Sequence, residues 1–325
     1  MPEQSGSDAP PARISSVLRS VALDPRDAPP PDMGREPEGF VVEVGAERIH
    51  FLDWGGPATS DDRQPAVLLI HGIGQTAWTW APVARRLAPL VRVVAMDLRG
   101  HGLSDSPVEG YEPHRLAEDA IAVIEGANID RVGVVLAGHG FGGAVATWAA
   151  GALGDRAAGL VLVDGGWEDV ATSSGMTPEE WLPGLDEPPE VLRTLRAFLT
   201  DRHGFDPASW DADQERAARA TVVEVPAGHV VPATRPHALA GTVRAMFAYR
   251  PSALDLVATR IVALVAGDPE GERLAALDDT ARARAHRAAP PIEVATFPAA
   301  GHNLMRYQPS EVTAAILRLA GTIAL

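Results

Sequence analysis

The chain has 325 residues, a hydrophobic fraction of 46% and a formal net charge of −15. That length can bury a large core, and one α/β domain with an insertion suits it better than two equal domains. The carboxylates are spread along the chain, which argues against nucleic-acid and anionic-membrane partners, and the absence of cysteine removes disulfides and thiolate chemistry.

Residues 1–37 are rich in Pro, Asp, Ser and Ala. Such a segment buries too little apolar area to offset its ordering entropy, so a disordered tail is expected, with a short helix at Ile14 to Val21 as the one element it could hold. Phe40 to Val44 and Arg48 to Trp54 read as a hairpin joined at Gly45-Ala46. Ala66 to Ile70 is a continuous apolar run, the mark of a strand buried on both faces, and it ends in His71-Gly72-Ile73-Gly74. A helical period follows from Trp78 to Ala88. Val91 to Met96 is a second buried strand, ending in Asp97-Leu-Arg-Gly-His101-Gly-Leu-Ser-Asp105. An amphipathic helix spans Leu116 to Gly126. Val132 to Ala137 then leads through Gly138-His139-Gly140-Phe141-Gly142-Gly143 into a small-residue helix to Ala150. Leu160 to Val163 is a strand that ends at Asp164.

From Trp167 to about Leu256 the pattern becomes helical and irregular, as expected of a helical cap inserted at about 167–256. Strands resume at Arg260 to Ala266, ending in Gly267-Asp-Pro-Glu270, and at Ile292 to Phe297, ending in Gly301-His302. Helices are expected around Arg273 to Arg287 and over Glu311 to Leu319. Buried strands alternating with helices predict an α/β fold, a doubly wound, mostly parallel eight-stranded sheet within one domain over 38–325. In such sheets the ligand lies at the carboxyl ends of the strands. His71, Asp97, Gly140 and Asp164 all fall there.

All 28 basic residues are arginine, so lysine Schiff-base and lysine general-base chemistry are excluded. No stretch approaches the roughly 18 apolar residues needed to span a bilayer, and the N-terminus lacks a signal pattern. A cytoplasmic protein with no membrane partner is expected. The ten histidines show no metal-ligand spacing, and no dinucleotide fingerprint follows the first strand, so neither a metal nor another cofactor is expected.

The set His-Gly-x-Gly, Asp-Leu-Arg-Gly-His-Gly-x-Ser-Asp, Gly-His-x-Phe-Gly-Gly, Gly-x-x-acid and Gly-His, in this order, resembles the α/β-hydrolase family over about residues 40–325. The inserted cap and the Asp97–Asp105 run look like its small esterase, lactonase and epoxide hydrolase branches. The resemblance implies a small-molecule substrate and leaves the oligomeric state open. It implies His302 as the catalytic base, and as its acid Glu270, with Asp164 the alternative. Backbone N–H groups of Phe141 and Ile73 would form an oxyanion hole, and Gly72, His139, Trp167 and Met305 would line the substrate pocket.

One position departs from the family. The nucleophile slot of the elbow, Ser in most members and Asp in epoxide hydrolases, is Gly140, and no Ser, Thr or Asp stands within two residues of it. Three readings follow. The favoured one is an enzyme working without a covalent intermediate on a small apolar carbonyl or ester-like compound, by hydrolysis, elimination, carbon–carbon cleavage or cyclisation. The second is a ligand-binding pseudo-hydrolase. The third is a serine esterase or Asp-nucleophile epoxide hydrolase disabled at position 140.

Overall fold

The computed structural model describes residues 17–57, 64–185, 193–267 and 272–322. The strands are β1 (Arg19–Ser20), β2 (Glu38–Val44), β3 (Glu47–Gly55), β4 (Ala66–Ile70), β5 (Val93–Met96), β6 (Val134–His139), β7 (Ala157–Val163), β8 (Val222–Glu224), β9 (Val230–Pro232), β10 (Ile261–Ala266) and β11 (Ile292–Phe297). Nine of them form one sheet in the order β1-β11-β10-β7-β6-β4-β5-β3-β2. All neighbours pair in parallel except β2 with β3 and β3 with β5. The expected eight strands are present, with the two-residue β1 added at the β11 edge.

The central strands are apolar at every position because helices cover both faces of the sheet. In β4, Leu68 and Ile70 join one core and Val67 and Leu69 the other. The first core includes helices α2 (Pro113–Gly126), α3 (Phe141–Leu153) and α9 (Glu272–His286). The second includes α1 (Ala81–Leu87) and α11 (Pro309–Ala320). Alternate side chains of a strand point to opposite faces, so a strand covered on both must be apolar throughout.

Between β7 and β10 lie α4 (Val170–Ser174), α5 (Pro178–Trp181), α6 (Leu195–Phe205), α7 (Ala212–Ala220) and α8 (Pro236–Ala248), together with the antiparallel pair β8–β9. The pair is an addition to the expected all-helical segment. Its residues are half-buried or exposed, so no apolar run announced it. Arg85 of α1 ties this segment to the sheet domain through a buried ion pair with Asp213 of α7, Nε to Oδ2 3.0 Å.

Residues 17–37 differ from the expected tail. β1 pairs with β11, Leu18 is buried, and Arg85 Nη1 donates to the carbonyls of Asp32, Met33 and Arg35. A buried guanidinium and an open sheet edge supply ordering partners that local composition does not reveal. The helix expected at Ile14 to Val21 is replaced over 19–20 by the strand, and residues 1–16 lie outside the described residues.

Candidate active site

The site forms where β4, β6, β7 and β10 end side by side. Their registers align Ile70 with Gly138, His139 with Val163, and Val163 with Leu264. The residues that follow these ends therefore share one rim.

The β6–α3 junction is a tight elbow. Gly140 has φ 53° and ψ −121°, a conformation open to glycine and strained for other residues. Two residues on, α3 presses against β4: a Cβ on Gly142 would lie 2.4 Å from the carbonyl oxygens of Ile70 and His71. The elbow thus rests on backbone packed against backbone. A Cβ on Gly140 would lie 3.4 Å from His302 Nε2, an ordinary contact.

His302 follows β11 in the loop before α10 (Leu304–Tyr307). Its Nδ1 lies 2.5 Å from Asp164 Oδ2. The Asp164 carboxylate is almost fully buried, and its Oδ1 accepts from the Ala266 N–H and from Arg273 Nη2, both at 2.9 Å. Burial works against its charge, but the hydrogen bond to His302, the Arg273 cation and the Ala266 N–H outweigh it and hold the carboxyl below its ordinary range. Asp164 itself has φ 50°, rare for a residue with a side chain. Arg273 also donates through Nε to Glu168 Oε1 at 2.7 Å and lies over the Trp167 ring, 5.4 Å from its centroid.

The carboxylate at His302 Nδ1 is therefore that of Asp164, the alternative in the sequence reading. Glu270, the preferred acid, lies outside the described residues. A neutral imidazole whose Nδ1 donates to Asp164 presents a bare Nε2 toward Gly140, the tautomer a base at that position needs.

The backbone N–H groups of Phe141 and Ile73 have no hydrogen-bond partner among the described residues. The loop that carries Ile73 is braced from below. Buried His71 donates through Nδ1 to the Gly72 carbonyl at 2.7 Å and accepts the Leu98 N–H on Nε2 at 3.0 Å, a pattern only a neutral ring can satisfy. Gln75 Oε1 accepts the Gly72 N–H at 3.0 Å and meets His139 Nδ1 at 3.0 Å. His139 is enclosed; burial, reinforced by the nearby His302, pushes it down to about 3, so its ring is neutral. That ring lies 4.5 Å from the His302 ring, centroid to centroid.

These groups open onto a cavity of about 1210 Å³. Gly72, Ile73, His139, Gly140, Phe141, Asp164 and His302 line it, as do residues the sequence did not single out: Gln75, Glu168, Trp181, Met246, Tyr249 and Arg273. Trp167 and Met305 do not line it. Both are fully enclosed, Trp167 beneath Arg273 and Met305 in the core shared with α1 and α11. Each neighbours a site residue in sequence but points to the protein side of its backbone. Gln75 carried one usable signal, its place two residues beyond Ile73 in the same loop. A second cavity, of about 620 Å³, lies among α6, α7 and β8, apart from these groups. No helix among the described residues is long and apolar enough to cross a membrane.

The chain is similar to known proteins in sequence and in fold. The profile described as "Alpha/beta hydrolase family" matches residues 67–316. An uncharacterized protein of Mycobacterium tuberculosis is 40% identical over 102 residues, which are 31% of this chain and 29% of that protein. The chain thus matches under a third of that relative's length. 2-(Acetamidomethylene)succinate hydrolase of Mesorhizobium japonicum is 28% identical over 250 residues, 77% of this chain and 85% of the relative. The crystal structure of E-2-(acetamidomethylene)succinate hydrolase superimposes with a TM-score of 0.67 at 23% identity, covering 87% of this chain and 98% of that one. This last likeness concerns the fold.

Proposed function

The chain belongs to the alpha/beta hydrolase family, and from that premise we propose that it is a hydrolase of small, apolar carbonyl or ester-like compounds that works without a covalent enzyme intermediate. The observation that carries this reading is the Asp164–His302 pair, with Nε2 directed at the space beside Gly140. Base, acid and two unpaired N–H donors line one cavity, and Gly140 stands there in the place of the side chain that would attack in most relatives.

The chemistry proceeds from these groups. A water beside Gly140 gives its proton to His302 Nε2 as its oxygen bonds to the substrate carbonyl carbon. The carbonyl π pair moves onto oxygen, where the Phe141 and Ile73 N–H groups receive it as an oxyanion hole; such a donor typically contributes about 3 kcal/mol to the transition state. Collapse of the tetrahedral intermediate expels the leaving group, which takes the proton back from His302. Asp164 stays anionic, holds the ring in its Nδ1–H tautomer and stabilises the imidazolium. General-base help of this kind is worth about 10²–10⁴-fold. The segment at 167–256 acts as a cap that closes the cavity over the strand ends.

The test is a panel of short aryl esters, enol esters, lactones and N-acyl enamines, assayed with the wild type and His302→Ala. Turnover that falls at least a hundredfold in His302→Ala, with no acylated protein on intact-mass analysis, supports the proposal. Turnover unchanged in that variant overturns it. Tight binding with no turnover anywhere in the panel favours a ligand-binding protein instead.

A further inference from the structure

We infer that the Gln75 carboxamide is a substrate-binding donor in this cavity, taking a second oxygen acceptor that the ligand carries beside its reacting carbonyl. The inference rests on the reading that this cavity is the substrate site.

The orientation of the amide follows from its partners. An amide oxygen and nitrogen are interchangeable in shape, so their assignment must come from the hydrogen-bond network. Here the Gly72 N–H can only donate, and it lies 3.0 Å from the Gln75 amide. The atom facing it must be the oxygen. His139 Nδ1 lies 3.0 Å from the same oxygen and its Nε2 lies 3.1 Å from the His302 carbonyl, so the single N–H of the neutral ring serves one of these two acceptors. The Gly72 donor alone therefore fixes Oε1, and the NH₂ end is turned away from it.

That end has no partner among the described residues, although Gln75 is only half-buried and lines the cavity. Three other polar groups on the wall are committed. Arg273 is paired with Asp164 and Glu168. Ser174 and Thr280 donate to carbonyls one turn earlier in their own helices. A preorganised NH₂ in the loop that presents the Ile73 N–H suits a compound with two oxygens a few bonds apart, such as a β-dicarbonyl or an acyloxy carbonyl compound. A simple ester with no oxygen beyond its own ester group leaves it idle.

The probes are ethyl acetoacetate and ethyl butanoate, which differ by one carbonyl oxygen. Affinities are read by ligand-detected NMR, so catalysis is not required and failure of the hydrolytic proposal is scored separately. In the wild type the acetoacetate binds about three- to tenfold tighter, the scale of one net hydrogen bond. Gln75→Glu keeps an oxygen for the Gly72 N–H and removes the NH₂, so the fold persists while the affinity ratio falls to about one. Gln75→Leu removes both ends, collapsing the same ratio and lowering the melting temperature. Equal affinities in the wild type, no binding of either ester, or a preference that survives Gln75→Glu overturns the inference.

Discussion

Gly140→Ser tests the geometry of the site directly. The new Cβ meets His302 Nε2 at 3.4 Å and Cε1 at 3.7 Å, so it fits without displacing either atom. From there an Oγ on a bond of about 1.4 Å reaches a hydrogen-bonding distance of about 2.8 Å when it points roughly 50° off the line to Nε2. The hydroxyl therefore lands beside a base already oriented by Asp164. The cost lies in the backbone. At φ 53° and ψ −121° a residue with a side chain is strained by about 1–3 kcal/mol, whereas glycine is not. At roughly 1.5 °C per kcal/mol for a chain of 325 residues the melting temperature should fall by roughly 1–5 °C. The variant should gain a stoichiometric burst with p-nitrophenyl acetate and an acetylated species on intact-mass analysis. Both should vanish in the double variant Gly140→Ser/His302→Ala. A folded Gly140→Ser protein that is never acylated would refute the arrangement of base and backbone donors described above. An unchanged or higher melting temperature would refute the strain.

Asp164→Asn should preserve the fold and lower turnover of any substrate found by a large factor, on the order of the 10⁴-fold seen when a triad acid is made neutral, because His302 loses its tautomer; a steady-state comparison measures it. Gly142→Ala places a methyl 2.4 Å from two backbone carbonyls, so stability in urea should drop by at least about 1–3 kcal/mol; a neutral result would show that α3 is free to move off β4. His139 and His101 are both pushed down to about 3, chiefly by burial. The unfolded chain binds those protons near pH 6.5 and the folded protein does not, so stability present above about pH 6.5 should erode on acidification towards about pH 3. Urea titrations across that window check the sign, and stability that rises as the pH falls would contradict it.

The central sheet was legible because its constraint is local. Ala66 to Ile70 or Ile261 to Ala266 can be read as buried on both faces from composition alone, and the strand ends then name the rim on which a site must lie. What escaped was set by partners far away in sequence. Arg19–Ser20 is a strand only because β11 offers an edge, and Val222–Glu224 only because Val230–Pro232 returns beside it. The choice between Asp164 and Glu270 was beyond the pattern for the same reason. Both follow strand ends, and what brings Asp164 onto His302 is a left-handed backbone at 164 together with the Ala266 N–H and Arg273. Trp167 and Met305 show the converse error. Nearness in sequence to Asp164 and His302 does not decide which side of the backbone a side chain takes.

Position 140 matters because no contact that holds the elbow uses a side chain there. The turn is held by α3 lying backbone to backbone against β4, and by the Gly140 N–H donating to the Val163 carbonyl at 3.0 Å. His302 is held by Asp164, and Asp164 by β10 and α9. None of these contacts uses a side chain at 140, so the usual nucleophile can be absent while every group around it stays in place. A degraded site would be expected to lose the costly elements first. Here the positive φ of Asp164 and the buried, ionised carboxylate remain, although neither is the least costly way to end a strand. Strain and buried charge around a glycine support the proposal that His302 acts as a base.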